Sequence, residues 1–168
     1  MDREGYTYLP NVESNRCFGC GPANPSGLQM KYYTDGKSVA SWLSVPSHMT
    51  GWRNLAHGGI LATILDEIMG RSVIYFASKV PMTKSMEIEF LSPVITGVEI
   101  KAEGKIIRED GREALVQGVI FNAAGEVCAR SKGRFGLYTL DFMKKKGVDT
   151  EMYEQWFEEM KKIRAAAD

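Results

Sequence analysis

Asp66 stands in the most apolar stretch of the chain, Gly59 to Ser78, among Ile60, Leu61, Ile64, Leu65, Ile68, Met69, Val73, Ile74 and Phe76. Burying an ionised carboxylate without a partner costs several kcal/mol, so such acids are paired, protonated or functional. Three and four residues away stand Ala62, Thr63, Met69 and Gly70, and none offers a charge. The competing reading puts Asp66 on a narrow exposed stripe with Glu67, Gly70 and Arg71. Glu67 and Arg71, four apart, are expected to satisfy each other as a surface ion pair. Asp66 then remains as a catalytic acid or base without a local partner, or as one solvated side chain among others.

Directly ahead of this run lies His57-Gly58-Gly59. A glycine pair at a helix start lets a ligand approach the backbone closely. The free N–H groups of the first turn and the positive end of the helix dipole then face that ligand. Such an arrangement suits a polarised carbonyl or a developing oxyanion. Taken alone, the same three residues also describe an ordinary loop-to-helix corner, with His57 as a cap or a packed side chain. The spacing says more. Nine residues on one helix place His57 and Asp66 ~13 Å apart along the axis and on nearly opposite faces. They cannot serve one reaction within one chain. A symmetric dimer would bring two such helices together and form two equivalent sites across its interface.

Cys17 and Cys20 form a C-x-x-C pair. A structural zinc site needs four ligands, and the remaining stock is Cys128, His48 and His57. A redox pair would want a strand-to-helix setting, whereas these two lie in a Gly/Pro-rich loop. Packing of small apolar thiols is the simpler reading, and neither metal nor organic cofactor is assigned. Basic side chains that could meet phosphate groups are Lys79, Lys84, Arg108, Arg112, Lys132 and Arg134. Trp42, Trp52 and the nine methionines could line an apolar tunnel, although most of them are expected in the core.

The elements that must position these residues follow from periodicity. Residues 1–26 read as an irregular cap ending in the turn Asn24-Pro25-Ser26-Gly27. Leu28 to Tyr33 and Ser38 to Val45 read as strands joined at Asp35-Gly36, a hairpin signal of the primed type. Residues 46–56, with Pro46, Gly51 and Asn54, read as a loop. The run from Gly59 to Ser78 is apolar on nearly all sides, which marks a buried core helix that ends before Pro81. Four strands follow, Lys84–Leu91, Val98–Arg108, Arg112–Asn122 and Val127–Tyr138, with turns at Thr96-Gly97, Asp110-Gly111 and Ala124-Gly125. Thr150 to Ala166 is an amphipathic helix with Asp149 or Thr150 as its N-cap. Two strands, a buried helix and four antiparallel strands can hide that helix only if the sheet wraps around it.

Composition narrows the function classes. Hydrophobic residues at 44% and charged residues at 25% place the chain among folded proteins of one-domain length. Lys plus Arg (21) equals Asp plus Glu (21), so the basic excess of a nucleic-acid binder is missing. No apolar run reaches the ~20 residues of a membrane helix. The start, Met1-Asp2-Arg3-Glu4-Gly5, has neither the basic stretch nor the apolar run of a secretion signal. Three cysteines do not close a disulfide framework. A cytoplasmic location with reduced thiols is therefore expected.

His57-Gly58-Gly59 with Ile60 through Asp66 resembles the central-helix motif of the hotdog thioesterases. Closest are the phenylacetyl-CoA thioesterase-like and thioesterase-superfamily-member-4-like branches, which place an acid nine residues after the His. The run Cys17-Phe18-Gly19-Cys20-Gly21-Pro22-Ala23-Asn24-Pro25-Ser26-Gly27-Leu28 resembles the N-terminal signature of the same bacterial group. Thr83 through Val94 resembles the strand after the helix, up to its Pro93. The similarity spans about residues 15–138.

The resemblance implies an α+β hotdog fold: an antiparallel β-sheet wrapped around a long central α-helix, plus a C-terminal helix. Its divisions would be a cap at 1–26, the hotdog domain at 27–140 and the terminal helix at 141–168. It implies hydrolysis of an acyl-CoA thioester to free acid and CoA by a homodimer or homotetramer. The N–H of Gly58 or Gly59 would polarise the thioester carbonyl. Asp66 of the partner subunit would act as general base or nucleophile. His57 would orient the loop or contact the thioester, and Thr83 would hold a hydroxyl near the acid or the water. Asn54, Lys84 and Arg134 are assigned to binding the substrate. Two rival functions on the same fold are a non-catalytic acyl-CoA sensor and a hydratase or dehydratase of enoyl or hydroxyacyl thioesters.

Overall fold

The apolar run after His57 contains no proline, and it forms one helix, α1 (Gly58–Ala77). Its 20 residues span ~30 Å. Ile64, Leu65, Ile68, Met69 and Val73 are fully buried along it. The helix ends where Ser78 takes a left-handed conformation (φ 50°, ψ 44°), a stop more often made by glycine. Ala62, Thr63, Asp66, Glu67 and Gly70 lie along a side that is only half-covered.

A computed structural model, which describes residues 1–166, wraps one antiparallel sheet around this helix. The strands are β1 (Thr7–Leu9), β2 (Tyr32–Thr34), β3 (Val39–Ser44), β4 (Val80–Phe90), β5 (Glu99–Glu109), β6 (Glu113–Phe121) and β7 (Val127–Tyr138). Their order is β1-β2-β3-β5-β6-β7-β4, so β1 and β4 are the two edges. Period-two burial is cleanest in β6, where Ala114, Val116, Gly118 and Ile120 face inward. Among the glycines of the sheet, Gly104 of β5 comes closest to α1. A Cβ there would lie 2.5 Å from Ser72 Oγ and 2.6 Å from the Ile68 carbonyl oxygen of α1, so only glycine admits this approach.

Several expectations need correction. The segment 1–26 is not wholly irregular, because Thr7–Leu9 pairs with β2. The strand expected at Leu28 begins only at Tyr32. Gln29 has a positive φ of 50°, and Leu28 and Met30 bond instead to the carbonyls of Phe18 and Gly19. Pro81 lies inside β4 and does not precede it; on an edge strand its missing N–H can face away from the ladder. The Asp35-Gly36 turn is not of the primed type, since only Gly36 has positive φ. Asp35 Oδ1 instead accepts from the N–H groups of Lys37 and Ser38 and closes a four-residue loop. The segment 141–168 holds two helices, α2 (Leu140–Lys145) and α3 (Glu151–Ala165), and residues 167–168 lie outside the described residues. At the start of α3 it is Asp149 Oδ1 that accepts the Glu151 N–H. The α3 side chains Trp156 and Met160 are buried.

Candidate active site

Loop 46–57 delivers the start of α1 through a fixed set of backbone bonds. The His57 N–H bonds to the Met49 carbonyl at 3.1 Å, and that of Ala56 to Val94 at 2.8 Å. His57 is the N-cap, and its Nδ1 accepts the Gly59 N–H at 2.9 Å. The cap bond puts the imidazole proton on Nε2 and uses up the Gly59 donor. The Gly58 N–H makes no hydrogen bond among the described residues, and it points out of the helix end with the positive dipole behind it. Of the two glycine N–H groups, that of Gly58 is the one left free. Beside it an open groove of about 350 Å³ is lined by Leu55, Leu61, Phe90, Leu91 and Val94.

Asp66 lies more than two turns further along α1, on the half-covered side. The Thr83 hydroxyl of β4 donates to its Oδ1 at 2.7 Å. A register shift between Thr83 and Ser85 places a bulge beside that contact, a device that re-aims strand side chains. Burial pushes the Asp66 carboxyl above its ordinary range; the Thr83 hydrogen bond opposes this and the nearby Glu67 charge adds to it. Asp66 and Thr83 stand in the wall of a cavity of about 220 Å³ that continues past Gly70, Ile74, Pro81 and Phe135 to Trp156.

Glu67 and Arg71 do not form the expected surface pair. Glu67 accepts from the Tyr32 hydroxyl at 2.9 Å and from the Cys17 thiol at 3.1 Å. Arg71 is only 3% exposed. Its guanidinium is sandwiched between the rings of Tyr32 (4.6 Å) and Trp156 (4.1 Å), where cation–π attraction offsets part of its desolvation. Its Nε and Nη1 have no partner among the described residues. Helical spacing implied contact between the two residues, but an aromatic cage formed by β2 and α3 draws the arginine inward. The neighbouring Cys20 thiol lowers the Cys17 pKa, while Cys17 and burial push the Cys20 thiol up. Sequence reasoning missed Glu67, Tyr32 and Arg71 as parts of one cluster. The available signal was Gly19 between the two cysteines, where a Cβ would lie 2.2 Å from Glu67 Cγ.

The structure sorts the expected site residues into two groups. His57, Gly58, Gly59 and Asn54 gather at the helix start, where Asn54 is exposed and its carbonyl accepts from Thr96. Asp66 and Thr83 gather at the cavity, and Lys84 and Arg134 stand side by side on the neighbouring strands, both bonded to Glu113. Among the described residues no hydrogen bond or ion pair joins the two groups. Trp52 is 83% exposed, and Trp42 packs on Tyr6 and Tyr33 away from either cavity. Neither lines the cavity at Asp66 or the groove at Gly58.

A sheet curled around a single long helix, with a glycine-rich helix start and a helix acid, is the hotdog architecture. Within it, residues 54–129 match the thioesterase superfamily. A solved thioesterase superfamily protein is similar with a TM-score of 0.67 and 24% identity, over 72% of this chain and 60% of that one. A hypothetical thioesterase protein from Streptococcus pneumoniae, solved with coenzyme A, is similar with a TM-score of 0.57 and 19% identity, over 60% of this chain and 81% of that one. An uncharacterized protein of Schizosaccharomyces pombe is 27% identical over 105 residues, so the match spans 60% of each chain's length. Among the described residues no helix is long and apolar enough to cross a membrane.

Proposed function

We propose that the chain hydrolyses acyl-CoA thioesters to free carboxylic acid and CoA, acting as a homodimer or a pair of homodimers. The observation that carries this reading is the Asp66 carboxylate, half-buried and hydrogen-bonded by Thr83 in the wall of a cavity. Superfamily similarity and a coenzyme A-bound structural relative support the substrate class.

In this reading the Gly58 N–H of one subunit donates to the thioester carbonyl oxygen, and Asp66 of the other faces the carbonyl carbon. Asp66 takes a proton from water as the water oxygen adds to that carbon. The oxyanion forms against the Gly58 N–H and the helix dipole. The tetrahedral intermediate then collapses and expels the CoA thiolate, which recovers the proton from Asp66. His57 fixes the helix start and reserves the Gly58 donor by engaging that of Gly59. The acyl group occupies the cavity beyond Asp66, while Lys84, Arg134 and Asn54 meet the CoA moiety. The edge strand β4 supports the dimer: Met82, Phe90 and Leu91 are about half exposed on or just after it, and Phe90 lies beside Gly58. A thiol-release screen across short, long and aromatic acyl-CoAs tests the proposal. Release above the uncatalysed rate with at least one class supports it, and no release with any class contradicts it.

A further inference from the structure

Three groups that the hydrolysis leaves unused converge beside the Asp66 cavity. The sulfurs of Cys17 and Cys20 and a carboxylate oxygen of Glu67 all lie within 4.8 Å of one another, and all three residues line that cavity. We propose that they form a binding site for a thiophilic divalent cation of the zinc class, with its remaining coordination position open to the cavity.

The donor set favours this class of ion. Two sulfurs and one carboxylate suit zinc, whereas magnesium and calcium select oxygen alone. Three protein ligands and one open position is a coordination that zinc adopts elsewhere. The donors are also held in place. Gly19 lets Glu67 lie against the Cys loop, since any side chain there would displace it. Gly21 keeps the loop tight, because a Cβ would lie 2.5 Å from the Asn15 carbonyl oxygen. Asn15, 6% exposed, accepts the Cys17 N–H at 2.9 Å and places its own amide 3.5 Å from Cys20 Sγ. The Tyr32 hydroxyl holds one Glu67 oxygen and leaves the other toward Cys17. Such outer hydrogen bonds orient ligands around metals.

Charge closes the argument. With both thiols protonated, Glu67 and the buried Arg71 sum to zero. A divalent cation that displaces the two thiol protons gives three anionic ligands against one dication and Arg71, and the sum is again zero. The cluster takes up the ion without burying net charge. Bound metal would clip the N-terminal segment to α1 at the residue next to Asp66. The inference stands on its own geometry, whether or not the hydrolase reading holds.

The test is metal analysis of the full chain purified without chelator, followed by cobalt titration of the metal-free protein. Stoichiometric zinc is expected, and cobalt should give thiolate charge-transfer bands with the strong visible bands of a four-coordinate centre. Cys17→Ser and Cys20→Ser should lose both signals, Glu67→Gln should weaken cobalt binding, and Cys128→Ser should retain it. Should Cys20→Ser fail to fold, the wild-type chain still answers, because zinc must protect two of the three free thiols from a disulfide reagent. Absent bands with unprotected thiols, or a Cys17–Cys20 disulfide in freshly purified protein, would overturn the proposal. Acyl-CoA hydrolysis is not a readout here, so failure of this site is distinct from failure of the proposed activity.

Discussion

The Thr83 hydroxyl reaches from β4 to Asp66 of α1 and donates to its Oδ1 at 2.7 Å. This bond stabilises the ionised carboxylate against the burial that opposes it. A base must be ionised to act, so kcat/KM should rise with pH through the raised Asp66 pKa and then level off. Thr83→Val removes the stabilising donor and should move that inflection to higher pH. An unshifted inflection would show that the hydroxyl does not act on the carboxylate.

Asp66→Asn keeps the side-chain shape while removing the base. Turnover should fall by ~10²–10⁴-fold. Stability should respond in the opposite sense. A carboxyl whose pKa is raised on folding favours the native state only when protonated, and that contribution is lost as pH rises through the folded pKa. The neutral amide escapes this loss, so at neutral pH its Tm should equal or exceed that of the wild type. A large drop in Tm would make Asp66 a structural residue.

Lys84 and Arg134 share Glu113 on an exposed face, so their charges are partly compensated and available to an outside anion. Lys84→Ala with Arg134→Ala should raise KM for acyl-CoA and leave kcat nearly unchanged. The same pair should have little effect on a pantetheine thioester, which lacks the nucleotide phosphates. Equal effects on both substrates would place the phosphates elsewhere.

Gly104→Ala tests the tight approach of β5 to α1. The added methyl meets the Ile68 carbonyl and Ser72 Oγ at overlapping distances, and backbone on both sides resists movement. A loss of ~1–3 kcal/mol in denaturant unfolding is expected for such overpacking. Unchanged stability would mean that β5 and α1 separate freely.

The pattern of chain punctuation and apolar spacing showed most of the fold. The span of α1 and the ends of β7 are where periodicity places them, because long elements average over many side chains. β1 was invisible because three residues carry no period, and Pro81 misled because its place on an edge is a tertiary fact. Residue types and spacing placed His57 at the start of α1 and Asp66 within that apolar helix. The Glu67–Arg71 relationship was not legible: their helical spacing is right for a surface pair, but Tyr32 and Trp156 arrive from distant segments. Nor could the sequence tell which of the Gly58 and Gly59 N–H groups stays free, since that rests on the rotamer that turns His57 Nδ1 toward one of them.

The central claim is that Asp66 and the Gly58 N–H meet only across two subunits. Gly58→Pro is a clean probe: proline at the first helical position deletes the N–H and is compatible with the preceding His57 (φ −65°, ψ 138°). Gly58→Pro and Asp66→Asn chains are each prepared as inactive protein, unfolded together and refolded as mixed dimers. Every heterodimer should then carry one intact site, built from Asp66 of one chain and Gly58 of the other, and thiol release should return. Verified heterodimers that stay as inactive as either parent, or a wild-type chain fully active as a monomer, would contradict the account.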